Sequence, residues 1–137
     1  MENLKKIKFY KKKIIVNKRG NIMHFIKKTD KNYKKFGEVY FTWVKKNQSK
    51  GLKFHKRMHM NLSVPVGNVK FVFFDKNFKN KRSFYLSERK FGTLYVPPKV
   101  WFSFKNINKK KDSLVLNFSN IIHEKKESIN KDLKLIA

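Results

Sequence analysis

Short runs of β-branched and aromatic residues, each closed by a turn residue, recur along the whole chain. They predict strands over residues 21–25, 38–44, 58–66, 69–75, 83–86, 93–96, 100–104 and 113–118. Met60, Leu62, Val64 and Val66 alternate with His59, Asn61, Ser63 and Pro65, the period of two that a strand requires. Residues 38–44 carry no helical stripe and suit a strand with two useful faces. Gly67 and Gly92 mark turns between apolar runs, and residues 106–112 read as an exposed hairpin loop. Eight strands at this spacing define an all-β domain, whether sandwich, jelly roll or barrel. Residues 1–18 form a basic N-terminal arm that adds an extra strand at Ile14, Ile15 and Val16; residues 124–137 are a polar C-terminal tail or a short helix.

Composition adds size and charge to this picture. A chain of 137 residues that is 40% hydrophobic, with fourteen Phe, can bury the core of one domain. It has no cysteine, which removes disulfides, thiolate metal clusters and a cysteine nucleophile. No apolar run approaches the ~20 residues of a spanning helix, and the N-terminus lacks the apolar core of a secretory signal. A cytoplasmic single domain is therefore expected. The formal charge is +26, from 35 Lys+Arg against 9 Asp+Glu. Such a surface attracts nucleic acid, acidic lipids and phosphorylated metabolites. Yet only four of those residues are Arg, Lys, Asn, Ile and Phe are abundant, and Ala occurs once, which is also the mark of an AT-rich coding sequence.

Three ordered segments narrow the choice. They are Arg19-Gly20-Asn21-Ile22, Lys50-Gly51-Leu52-Lys53-Phe54-His55-Lys56 and Leu94-Tyr95-Val96-Pro97-Pro98-Lys99-Val100-Trp101. Together they resemble the small cupins that act on dTDP-4-keto-sugars, the dTDP-4-dehydrorhamnose 3,5-epimerase and dTDP-sugar 3,4-ketoisomerase group. The resemblance covers residues 19–123 and implies a single-domain cupin jelly-roll barrel, often a homodimer, with its ligand inside. It also implies a cofactor-independent isomerase or epimerase of a nucleotide-linked 4-keto-6-deoxy sugar, serving surface polysaccharide or lipopolysaccharide biosynthesis. Of that group's His-x-His pair only the second member is present, as His55; Lys53 stands at the first. A later barrel histidine corresponds to Phe102, and the acid tyrosine of the following strand falls near Leu116.

Proton transfer beside a ketone needs a base, a cation or donor for the enolate, and an acid. His55 is the candidate base, since an imidazole titrates near ~6.5. Lys53 and His59 are candidates to polarise the carbonyl, and Tyr40 lies near a functional tyrosine of the ketoisomerases. Lys50 and Arg57 are expected to hold a pyrophosphate, with Asn61, Tyr95, Lys99 and Trp101 completing a substrate-binding set. If residues 53–63 form one strand, then Lys53, His55, Arg57, His59, Asn61 and Ser63 share a face, unless a bulge near Lys56 splits the register. His55 and His59 would then lie about 13 Å apart, too far to ligate one metal ion. No cofactor is called for. Two further readings stand beside the enzyme: a cupin that binds a sugar nucleotide without turning it over, motivated by Lys53, Phe102 and Leu116, and a basic nucleic-acid-binding barrel with interleaved aromatics such as Phe71, Phe73 and Phe74.

Overall fold

The computed structural model describes residues 2–136, with the side chains of residues 135 and 136 left aside. A single helical turn, α1 (Glu2–Lys5), leads into β1 (Lys8–Lys11) and the small hairpin of β2 (Ile14–Ile15) with β3 (Ile22–Met23). Nine further strands follow: β4 (Glu38–Val44), β5 (Ser49–His55), β6 (Met60–Val66), β7 (Asn68–Phe74), β8 (Lys81–Ser87), β9 (Gly92–Val96), β10 (Trp101–Asn106), β11 (Ser113–Ser119) and β12 (Ser128–Asn130). They build two antiparallel five-stranded sheets, in the orders β1-β9-β6-β11-β4 and β12-β5-β10-β7-β8. From β4 to β11 every connection except the β7–β8 hairpin carries the chain from one sheet to the other. That alternation is a jelly roll, the cupin architecture. Among the described residues no helix is long and apolar enough to cross a membrane.

The strand spacing drives the fold through what each inner face buries. Met60, Leu62 and Val64 from one sheet meet Val69, Phe71, Phe73 and Phe102 from the other, all buried. At about 1.5–3 kcal/mol for each large side chain removed from water, this layer dominates the favourable side of the balance. A second, smaller cluster lies on the opposite face of β5 and β10. There Leu52, Phe54 and Trp101 pack with Phe74, Phe78 and Leu133.

Residues 53–63 do not form one strand. β5 ends at His55 in one sheet and β6 begins at Met60 in the other. The reason lies far along the chain. One carboxylate oxygen of Glu127 accepts the backbone N–H of Arg57 and of Met58, both at 2.8 Å, and so anchors the crossing. The register irregularity falls earlier, at Gly51, where β5 is displaced against Phe102 and Ser103 of β10.

Gly51 is there for two physical reasons. Its φ is +119°, a region that side chains avoid, and an added Cβ would lie 2.7 Å from the Phe102 carbonyl oxygen. Gly51→Ala is expected to destabilise the protein by about 1–3 kcal/mol, read as a lower midpoint in urea. An unchanged midpoint would show that the bulge can relax.

The outer face of β6 is also buried, against the alternation read from sequence. A loop spanning residues 24–37 lies over it. Asn32 donates its side-chain amide to Asn61 Oδ1 at 2.7 Å, and Asn61 returns a bond to the Asn32 carbonyl at 3.0 Å. Thr93 on β9 secures the same loop by donating to the Phe25 carbonyl. Asn61 is therefore a structural tie between loop and sheet.

Candidate active site

Between the sheets lies a cavity of about 270 Å³, lined by Tyr40 and Thr42 of β4, Lys50, Gly51 and Lys53 of β5, Leu62, Phe102, Phe104, Val115 and Asn117. Lys53 reaches it because alternate residues of β5 point inward while Leu52 and Phe54 join the outer cluster. His55 is the next inward residue. It is buried, and its ring stacks on Phe102 with centroids 5.8 Å apart, so it borders the cavity through a shared wall.

The partner of His55 was not visible in the sequence. Its Nδ1 lies 2.6 Å from Glu127 Oε1, both side chains being almost wholly shielded from water. Burial opposes ionisation of Glu127, but the Arg57 N–H, His55 and the Met58 N–H outweigh it and hold the carboxyl below its ordinary value. An ionised carboxylate only accepts, so His55 Nδ1 carries the proton and donates it. Nε2 is then left as the basic nitrogen, buried without a protein partner. Burial pushes the His55 pKa below the usual imidazole value, and the charge on Lys53 pushes the same way; Glu127 pulls against them. At neutral pH the ring is a neutral base of fixed tautomer. Glu127 thus both orients the base and anchors the chain crossing beside it.

A hydroxyl reaches the cavity from Tyr40 of β4. Leu116 points away from the interior; its neighbour Asn117 points in and donates its amide to Tyr40 Oη at 2.8 Å. Burial pushes the Tyr40 hydroxyl up, against the smaller effect of the Asn117 bond, so it keeps its proton at neutral pH. The cavity is thus lined by an ammonium and a phenol that can donate, with the His55 imidazole stacked behind Phe102.

The other residues proposed from sequence lie elsewhere. His59, Tyr95 and Lys99 line a separate cleft on the outer face of the β1-β9-β6 side, with Asn61 buried beneath the loop that borders it. Trp101 sits on the far side of its sheet from the cavity, between Phe54 and Phe78, with the Lys131 ammonium 5.0 Å from its ring centroid. Arg57 is exposed at the crossing, 3.8 Å from Glu124. Phe71 and Phe73 are fully buried, so they offer no faces for stacking on bases. Lys50 stands at the cavity's edge, because it also lines an open groove of about 710 Å³ with Trp43, Lys45, Gln48, Ser49 and Asp112.

A jelly-roll cupin with a His–Glu pair and a lysine at its barrel cavity is the class this geometry defines. Residues 4–135 match the family described as FdtA: WxcM-like, C-terminal, and the chain belongs to that family. Among solved structures it is similar to a dTDP sugar isomerase from Desulfovibrio desulfuricans G20, with 25% identity and a TM-score of 0.89 over 95% of this chain and 86% of that one. It also resembles in fold QdtA, a sugar 3,4-ketoisomerase from Thermoanaerobacterium thermosaccharolyticum solved with TDP (22% identity, TM-score 0.76, 94% and 90% covered). A dTDP-4-dehydrorhamnose 3,5-epimerase from Sulfolobus tokodaii shares the fold as well, at 19% identity and a TM-score of 0.82, over 96% and 85% of the two chains. Comparison with curated protein sequences finds no match.

Proposed function

We propose that the protein isomerises or epimerises a dTDP-linked 4-keto-6-deoxy sugar without a cofactor, in the assembly of a surface polysaccharide. The observation that carries this reading is the buried His55–Glu127 pair beside a cavity lined by Lys53 and Tyr40. The family and the structural similarity to dTDP-sugar isomerases support it.

The chemistry follows from the substrate's own ketone, which acidifies the C–H bonds on either side. His55 Nε2 takes the proton from C3, and the bonding pair becomes the C3=C4 double bond of an enolate with its charge on O4. The Lys53 ammonium stabilises that oxyanion in a site screened from water. Tyr40 supplies the proton that ends the step. Returned to C3 from the opposite side, it gives the epimer. Delivered to C4 while the 3-hydroxyl proton passes to O4, it gives the 3-keto isomer. No oxidant enters either balance.

Size divides the ligand between two spaces. About 270 Å³ is below the usual range for a whole drug-sized ligand, roughly 300–1,000 Å³, but suits one sugar ring. The sugar enters the cavity, Lys50 at its edge pairs with the pyrophosphate, and the nucleoside lies in the adjoining groove beside Trp43. Incubating the protein with a dTDP-4-keto-6-deoxyhexose and following products by NMR tests the reading. New 3-keto or epimeric sugar supports it; tight TDP binding with an unchanged substrate would leave only a sugar-nucleotide-binding cupin.

We further propose that the protein is a homodimer. β4 is the edge of its sheet, and its outward row of Val39, Phe41 and Trp43 is exposed while Tyr40 and Thr42 face the cavity. An edge strand with an apolar outer face invites pairing. A second copy of β4, antiparallel across a two-fold axis, satisfies both strands with one contact. Analytical ultracentrifugation is expected to show a dimer that Phe41→Asp converts to monomer. A wild-type monomer would contradict the pairing.

A further inference from the structure

A second concavity lies outside the barrel. It is an outer cleft of about 840 Å³ between the N-terminal arm, the loop over β6 and the Pro97-Pro98-Lys99 turn. Six lysines line it: Lys5, Lys6, Lys8, Lys31, Lys34 and Lys99. Arg82 belongs to the wall, and its Nη1 is occupied, donating to the carbonyls of Leu4 and Ile7 at 2.9 Å each. Among the described residues no carboxylate lines the cleft. Roughly a quarter of the chain is basic, 35 of 137 residues, whereas six lysines and Arg82 make up nearly half of the fifteen lining residues. These come from four separate segments, so a run of lysine in the sequence does not account for the density. Folding brings them together.

The floor of the cleft is built rather than bare. His59 and Tyr95 share a hydrogen bond of 2.7 Å, and their rings stack at 6.0 Å. The Lys34 ammonium lies 5.5 Å from the Tyr95 centroid and Lys8 5.1 Å from that of Tyr10. Burial, and then the charges of Lys34 and Lys6, push the His59 pKa down, the response of an imidazole to a positive field.

We propose that this cleft is a second anion site that binds an oligophosphate, a chain of three or more phosphoryl groups, outside the barrel. Compact ammonium charges spread around an open cleft suit a flexible chain of like charges. Single-stranded nucleic acid fits less well. Such binding needs aromatic faces free to stack on bases, and both tyrosine rings here already carry a lysine. The site stands whether or not the barrel is catalytic, because its lining residues are not those of the cavity.

Calorimetric titration with inorganic tripolyphosphate at fixed ionic strength tests it. Lys31 and Lys34 are exposed, so the double variant Lys31→Glu/Lys34→Glu leaves the core untouched. It is expected to weaken binding at least tenfold. Lys109→Glu/Lys110→Glu makes the same charge change on the exposed loop after β10 and is expected to alter affinity less than twofold, as is Lys50→Glu at the barrel edge. NMR resonances of His59 and Tyr95 should shift on binding. Undetectable binding, or equal weakening by both double variants, would overturn the site and leave only diffuse surface charge. Loss of binding in Lys50→Glu would place the anion at the barrel instead, which also overturns it.

Discussion

His55→Asn is expected to lower kcat on a dTDP-4-keto-6-deoxyhexose by about a thousandfold or more, with the fold intact. The Asn amide is short, but it can still donate toward Glu127, and the carboxylate keeps the Arg57 and Met58 N–H groups. The chain crossing should therefore survive, and TDP affinity should change little because Lys50 and the groove are untouched. What disappears is the unprotonated imidazole nitrogen beside the cavity. Lys53 is no substitute while it remains an ammonium stabilising the oxyanion. A variant retaining more than a tenth of wild-type kcat would assign the base to another group.

Glu127→Gln is the second large effect, and it separates orientation from chemistry. The amide keeps an oxygen for the two backbone N–H groups, so its NH₂ turns toward His55 Nδ1. Nδ1 must then accept, the proton moves to Nε2, and the base faces the substrate in the wrong tautomer. A loss of roughly a hundredfold in kcat is expected with KM nearly unchanged. The pH dependence gives the sign check. Wild-type activity should fall as acid protonates His55, with its limb below pH ~6.5 because the folded pKa is depressed. Glu127 favours the charged imidazole, so removing its charge moves that limb to still lower pH. A merely structural Glu127 would lower stability and leave the limb in place. Stability follows the same direction. For His55 and for Glu127 the unfolded chain binds protons more readily, so stability is lost on acidification, first below pH ~6.5 and then below ~4.5.

The strands were legible where one face is buried and the other wet. Residues 38–44 and the bulk of β7 and β11 fall where the alternation and turn residues put them. The order of Lys50-Gly51, His55 and Pro97-Pro98 carried the cupin fold. What the pattern could not carry was direction wherever both faces are covered. β10 opens on two adjacent aromatics, so nothing local says that Phe102 faces the cavity and Trp101 the outer cluster. The crossing between His55 and Met60 was hidden for a different reason. Glu127, which holds it, stands 72 residues beyond His55, in a segment whose polar composition reads as tail. Two Glu among Lys and Ser give no periodic signal. Only the pairing of β12 with β5 brings it inward, through Ser128 opposite His55. His59, Tyr95 and Lys99 stand apart from the cavity for a related reason: the sheet turns them to its outer face.

The central claim is that His55 removes a carbon-bound proton from a keto-sugar held in the barrel. Incubation with a dTDP-4-keto-6-deoxyhexose in deuterated water, followed by mass spectrometry and proton NMR, tests it most directly. Deuterium on a ring carbon next to the carbonyl, or on the former carbonyl carbon, is predicted for the wild type and not for His55→Asn. Product formed without deuterium would contradict proton exchange with solvent, and equal deuterium uptake in both proteins would contradict the role of His55.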